Sequence, residues 1–546
     1  MKKQIILYFC LAISCIAIIS CNHKNKNVTN ANDSTAINTD VANKISQYAK
    51  VDLSGDSNTL TENEKEVLPF LKNACDVMDE LYWEQSFGDK NNALNLIKDS
   101  AERLFFIQNY GPWERLNGNI PFIKSFGDKA LGANYYPKDI TVEEFNSFQD
   151  SLKTSLYTLI RRDENGNLYS VKYCDAYKEK LAIAYENLLK ASEISNNPEF
   201  KNYLKLRAEA LITDDYKKSD IAWLEIRNSN LDIVIGPIET YEDRFMGLKA
   251  AYQGLIFIKD KSWCEEYKKY TDVLPQLQKD LPIDKSYKKS ISKTNTQIIV
   301  EDVIYCKGFT NSEGKTIAMS LPNDVKIMEE IGVRNINIKN IMRSKFDYIL
   351  KPIANSFIQE KQQSNVRFDA FFYFVMFQKM SHMLGVKDNI DGKGNGKDIL
   401  KEQYYLMEEI KANMLALYMT KKLFELGVFK KVDVLDSYVT FLASIVRSIR
   451  FGTTNFQGKV NMLIFNHFEE NGAFSKDEKD GKYFVVPERM ENAMEVLLTK
   501  ILVLQGNQDY NGFSKMLNQK GFVKVQLQRD LDKLQNNNIP IDVVLC

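Results

Sequence analysis

Residues 374–386 read FVMFQKMSHMLGV and residues 407–418 read MEEIKANMLALY. The first is an apolar run that closes on a lone histidine, His382, with Lys379 three places before it. The second sets two adjacent glutamates, Glu408 and Glu409, into a helical pattern whose end is marked by Lys421-Lys422 and then Gly427, cations and a left-handed cap where a helix C-terminus favours them. The chain has only three histidines, His23, His382 and His467. A metal helix with histidines at i and i+4 on one face therefore cannot be assembled, and no H-E-x-x-H occurs anywhere.

At 546 residues, with 44% hydrophobic and 11% aromatic side chains, the chain is long enough for two lobes. Its 72 basic and 72 acidic residues leave no net field to draw nucleic acid or an anionic surface, so no nucleic-acid partner is expected. Met1-Lys2-Lys3, an apolar stretch from Ile5 to Ile19, and Ser20 before Cys21 form a signal-peptide pattern over residues 1–20. Ile18-Ile19-Ser20-Cys21 resembles the bacterial lipobox, which implies lipidation of Cys21 and a membrane-anchored protein of the bacterial cell envelope; an uncleaved anchor is the alternative. Residues 21–58, poor in apolar anchors over their first half, read as a flexible tether. Among the remaining cysteines no C-x-x-C pair occurs, which excludes a zinc ribbon or thioredoxin motif and leaves disulfide pairing open.

From Glu62 the apolar positions Val67, Leu68, Leu71, Cys75, Met78 and Leu81 follow a helical period. Residues 230–240 read as a short strand broken at Gly236-Pro237, and the runs Ile298–Cys306 and Thr316–Leu321 around FTNSEG predict a hairpin. Beyond Pro322 helices dominate, among them an apolar stripe through Leu435, Tyr438, Leu442, Ile445 and Ile449. The expected class is α+β and predominantly α: a mixed α/β lobe over 59–325 and a helical lobe over 326–546 around a cleft. DENGN (163–167) and DNIDGKGNGKD (388–398) lack the calcium-loop order and read as loops.

GANYYPKD (132–139), GPIETYED (236–243), LPNDVKIMEEIG (321–332), MEEIKANMLALY (407–418), FLASIVRSIRFG (441–452) and NIPIDV (538–543) are collinear and together resemble the dipeptidyl-peptidase III family of zinc peptidases, especially its branch in the C-terminal half of plant Nudix fusion proteins. The resemblance implies a two-lobed fold, zinc in the helical lobe and a cleft for an extended peptide, with Glu239, Tyr241, Arg447 and Arg450 in that cleft. Carried over position by position, it puts the first zinc ligand at Gln378, the general base at Lys379, the second ligand at His382 and the third at Glu409, with Glu408 and Asn413 behind them and the oxyanion donor at Gln457.

Four of these side chains, Gln378, Lys379, Asn413 and Gln457, have changed type. An amide is a poor zinc ligand, and an ammonium opposes a cation rather than activating its water. His382 and Glu409 are then a vestigial metal site at most, no resident cofactor is expected, and Lys379 is expected to replace the metal by pairing with Glu408 or Glu409. The resulting expectation is a catalytically inactive, lipid-anchored relative that binds a peptide or protein partner. Two alternatives stay open: a zinc-dependent peptidase with an atypical metal site, and a structural envelope lipoprotein.

Overall fold

The structure, a computed structural model, describes residues 38–546 apart from 289–295, 313, 387–388, 393–395, 454–455, 536 and 546. Cys21, the signal-peptide segment and the first part of the expected tether lie outside the described residues. The second part of that tether is folded: residues 39–46 form helix α1 (Thr39–Ser46), capped by the Asn38 side chain, and strand β1 (Tyr48–Val51) follows. Val41 anchors this segment by packing with Ala101 and Phe105.

Helix α2 (Glu62–Ser86) begins in a capping box. The Thr61 hydroxyl accepts the Glu64 N–H while the Glu64 carboxylate accepts the Thr61 N–H. The same carboxylate accepts the backbone N–H of Asn230 at 2.9 Å and its side-chain amide at 3.0 Å, so one acid starts the helix and fixes the entry to the central sheet. Of the expected stripe, Val67, Leu71, Cys75, Met78 and Leu81 are buried and Leu68 is half-buried, against α3 (Lys178–Ile194) and the sheet, and α4 (Pro198–Thr213) packs on α3 and, through Tyr203, on the sheet.

Five strands make that sheet: β2 (Leu231–Glu239), β3 (Ala251–Lys259), β4 (Thr296–Gly308), β5 (Ala318–Leu321) and β6 (Val333–Ile338), in the order β2-β3-β4-β6-β5. The strand expected to break at Gly236-Pro237 instead runs through it. Gly236 takes φ +129° and the register shifts between Pro237 and Glu239, and the edge position tolerates a proline that cannot donate to a ladder. The expected hairpin does not form either. β6 inserts between β4 and β5, parallel to the first and antiparallel to the second, so the two runs share a sheet without pairing.

The helical lobe contains α5 (Phe368–Ser381), α6 (Gln403–Glu425), α7 (Val434–Ile449), α8 (Phe456–Glu470) and α9 (Pro487–Gly506), which pack on one another. Gly427 takes φ +70° just past α6, and Tyr438, Leu442, Ile445 and Ile449 of the α7 stripe are buried. The final strand β7 (Asp542–Leu545) pairs in parallel with β1, Tyr48 opposite Asp542.

The class is α+β, predominantly α, with two lobes, but the sequence boundary at 325/326 is not a clean cut. Ile336 and Ile338 of β6 belong to the α/β core, while Tyr267, Tyr270, Leu274 and Leu277 belong to the helical one. Cys75, Cys174, Cys264 and Cys306 are free thiols. Among the described residues no helix is long and apolar enough to cross a membrane.

Glu64→Ala removes a helix cap and the acceptor for Asn230 together. It should cost about 2 kcal/mol in denaturant titration, against about 1 kcal/mol for Thr61→Ala.

Candidate functional site

α5 is almost wholly apolar because it is buried on most sides, and the few polar groups it carries therefore need partners. Gln378, near its end, turns toward α6 and donates its amide to Glu409 Oε1 at 2.8 Å. Gln457, in the first turn of α8, donates to the same oxygen at 3.2 Å. The positions that the resemblance assigns to the first ligand, the third ligand and the oxyanion donor thus converge, but as two neutral amides closing on one carboxylate.

Glu408 is served separately. Lys411, one turn along α6 and fully buried, reaches Glu408 Oε1 at 2.5 Å, and the Gln505 amide of α9 donates to that oxygen as well. His382, just past the end of α5, places Nδ1 3.5 Å from Glu408 Oε2, with its side chain 39% exposed. Burial by itself would raise the Glu408 carboxyl; the Lys411 charge and the hydrogen bonds from His382 and Lys411 overcome it and hold the group well below the usual carboxylate range. Asn413 donates to the backbone carbonyl of Glu409 at 2.7 Å, so its amide is turned onto its own helix rather than toward a histidine.

The expected pairing of Lys379 with Glu408 or Glu409 does not occur. Both acids are already satisfied, one by a lysine on its own helix and the other by two amides. Lys379 is felt instead at Glu239, at the end of β2, where burial raises the carboxyl and the Lys379 charge opposes the rise.

Tyr241 is 68% exposed and its ring lies 6.2 Å from that of Phe309. His467 is a core residue whose Nε2 meets Ala493 O at 3.0 Å; burial pushes it down to about 4, so it is uncharged at neutral pH.

A cavity of about 230 Å³ adjoins Gln457, lined also by Lys345, Arg447, Ser448, Phe451 and Asp542. Lys345 bonds Asp542 Oδ1 at 2.9 Å, whereas Arg447 Nε is buried without a hydrogen-bond partner among the described residues, and burial lowers the pKa of both cations. Arg450 donates to Pro540 O and, at 3.0 Å, to Ile541 O, which joins the FLASIVRSIRFG segment to NIPIDV. Of these partners, Lys411 was available to sequence reading through its i,i+3 spacing from Glu408; Gln505, Lys345 and Asp542 carried no local signal.

A model of peptidase family M49 matches residues 138–380. The chain is 31% identical to "Nudix hydrolase 3" of Arabidopsis thaliana over 92% of its own length and 73% of that protein's. The chain belongs to peptidase family M49. Its fold superimposes on dipeptidyl-peptidase III from Caldithrix abyssi with a TM-score of 0.89 at 33% identity, covering 92% of this chain and 98% of that one. For the enzyme from Corallococcus sp. strain EGB the TM-score is 0.80 at 30% identity, over 93% and 96%. "Dipeptidyl peptidase 3" of Dictyostelium discoideum is 23% identical over 51% of this chain and 38% of that protein.

M49 peptidases are zinc enzymes. His382 leans on Glu408, Glu409 is closed by amides, and among the described residues no group of three His, Cys, Asp or Glu side chains could hold a metal.

Glu408→Ala removes the counter-charge of the buried Lys411 ammonium, which keeps its bond to Val386 O, and should cost about 3 kcal/mol at pH 7 by urea titration. Since the folded-state carboxyl is the stronger acid, its contribution is complete above the ordinary value of 4.5 and is lost as pH falls below it. The gap between wild type and variant should therefore narrow at pH 3.

Proposed function

We propose that this chain is an M49 protein that binds peptides in its cleft without hydrolysing them, and that it is held at the bacterial cell envelope by a lipid on Cys21. The observation that carries the first part is the Glu409 carboxylate, capped by Gln378 and Gln457 where a metal would need it free. Peptide hydrolysis by a zinc enzyme requires the ion to acidify a water and a base to take the proton; here an ammonium, Lys379, stands at the base position. Binding has no such requirement. An extended peptide is gripped through backbone hydrogen bonds and side-chain pockets, and the cavity beside Gln457 is of a size to take one side chain of such a peptide.

The test has two arms. The purified protein should hold zinc far below one per chain, release no dipeptide from a chromogenic oligopeptide, and yet bind oligopeptides saturably in calorimetry. Gln378→His with Lys379→Glu should gain zinc, and turnover should appear only when Gln457→His is added. Stoichiometric zinc in the unmodified protein, or turnover equal to that of the triple variant, defeats the reading in favour of an atypical zinc peptidase. Absence of any peptide binding favours a structural role instead.

The anchor rests on the residues before Cys21. Radiolabelled palmitate should enter the wild-type protein and sediment with membranes, while Cys21→Ser should lose the label and shift to the soluble fraction.

A further inference from the structure

A second cavity, of about 260 Å³, shares no residue with the one beside Gln457 and sits between β2, the far end of α4 and the turn at Leu321–Asp324. Three of its lining residues carry buried polar atoms with no hydrogen-bond partner among the described residues: Arg207 Nε, Asp214 Oδ1 and Tyr216 Oη. Arg207 and Tyr216 are only 7% and 5% exposed. Buried polar groups are rarely left unpartnered, so three orphans around one space mark a missing occupant, either water or a ligand.

The charge on the wall says which ligand. Asp214, Asp215, Asp220 and Asp324 face Arg207 and Lys217. Arg207 is already engaged: its Nη2 bonds Asp220, and its guanidinium lies 5.5 Å from the Tyr203 ring and 5.3 Å from the Tyr216 ring. Asp214 Oδ2 accepts the Cys174 N–H at 3.0 Å, while Oδ1 has no hydrogen-bond partner among the described residues. Burial pushes the carboxyls of Asp214 and Asp220 up, and the Asp324 charge adds to the rise at Asp220. Three of the acids gather near one ring: beyond its burial, the Tyr157 hydroxyl is raised by Asp220, Asp214 and Asp324, with Arg207 opposing, to about 12. Negative charge in excess, beside aromatic faces, is the environment that recognises a cation.

We propose that this cavity binds a small organic cation, a primary ammonium or guanidinium group, with its charge toward Asp214 and Asp324 and its stem against Tyr157, Trp223 and Pro237. The volume lies just under the range of drug-sized sites, which suits an alkylamine or one basic side chain and excludes an oligopeptide. This reading stands apart from peptide binding in the cleft and is tested separately.

Calorimetry on the full chain with n-butylammonium, N-acetyl-lysine methylamide and N-acetyl-arginine methylamide should give saturable binding, and the neutral N-acetyl-norleucine methylamide should bind at least about tenfold more weakly. Asp214 occupies a left-handed helix end, φ +61°, and Asp324 caps the helix at Val325–Glu330. Asparagine is accepted at both kinds of position, so Asp214→Asn and Asp324→Asn should leave the melting temperature unchanged and together lower cation affinity at least about tenfold. Tighter binding of the blocked amino acids than of butylammonium identifies a basic side chain as the natural source; equal binding identifies a free amine. No saturable heat, meaning that water alone fills the space, overturns the proposal. So does equal binding of the norleucine compound, or affinity unchanged by the two substitutions.

Discussion

A carboxylate taken out of water must be given a counter-charge or hydrogen-bond donors, and the architecture around α6 follows from meeting that demand twice in succession. Glu408 receives a cation from its own helix and a donor from α9. Glu409 receives two amides, one from α5 and one from α8. Between them these bonds tie three helices of the lobe, α5, α8 and α9, around one turn of α6. In a zinc peptidase the second acid would be compensated by the metal. Here neutral donors do the same work at lower electrostatic cost, because a carboxylate hydrogen-bonded to amides needs no second buried ion.

This arrangement also explains why Lys379 is drawn elsewhere. With both glutamates satisfied, the acid that the Lys379 charge acts on is Glu239 on β2, whose burial otherwise raises its carboxyl. The lysine therefore acts on an acid of the α/β lobe rather than on its own, which is a different economy of charge from that of a metal-centred cleft.

The sequence was most legible where periodicity and caps act locally. The α2 and α7 stripes and the Gly427 cap of α6 are set by neighbours three and four residues away, and each appears in the structure. The substitutions at 378, 379 and 457 were readable because they could be aligned. What those residues do instead was not, since the direction of an amide is settled by helices far apart in sequence. For the same reason the runs at 296–308 and 318–321 looked like a hairpin: nothing local announces that Val333–Ile338 will enter between them. The folded stretch from Thr39 to Val51 was missed because its composition is polar, and its order comes from Val41 and from pairing with the last residues of the chain.

That last pairing has a consequence for biogenesis. β1 is synthesised long before β7, so the parallel ladder between them can close only after the intervening residues have left the ribosome. Until then β1 lacks the strand it pairs with, and the contact has the large sequence separation that slows folding. β7 thus acts as a latch, and removing it would leave β1 without its partner strand.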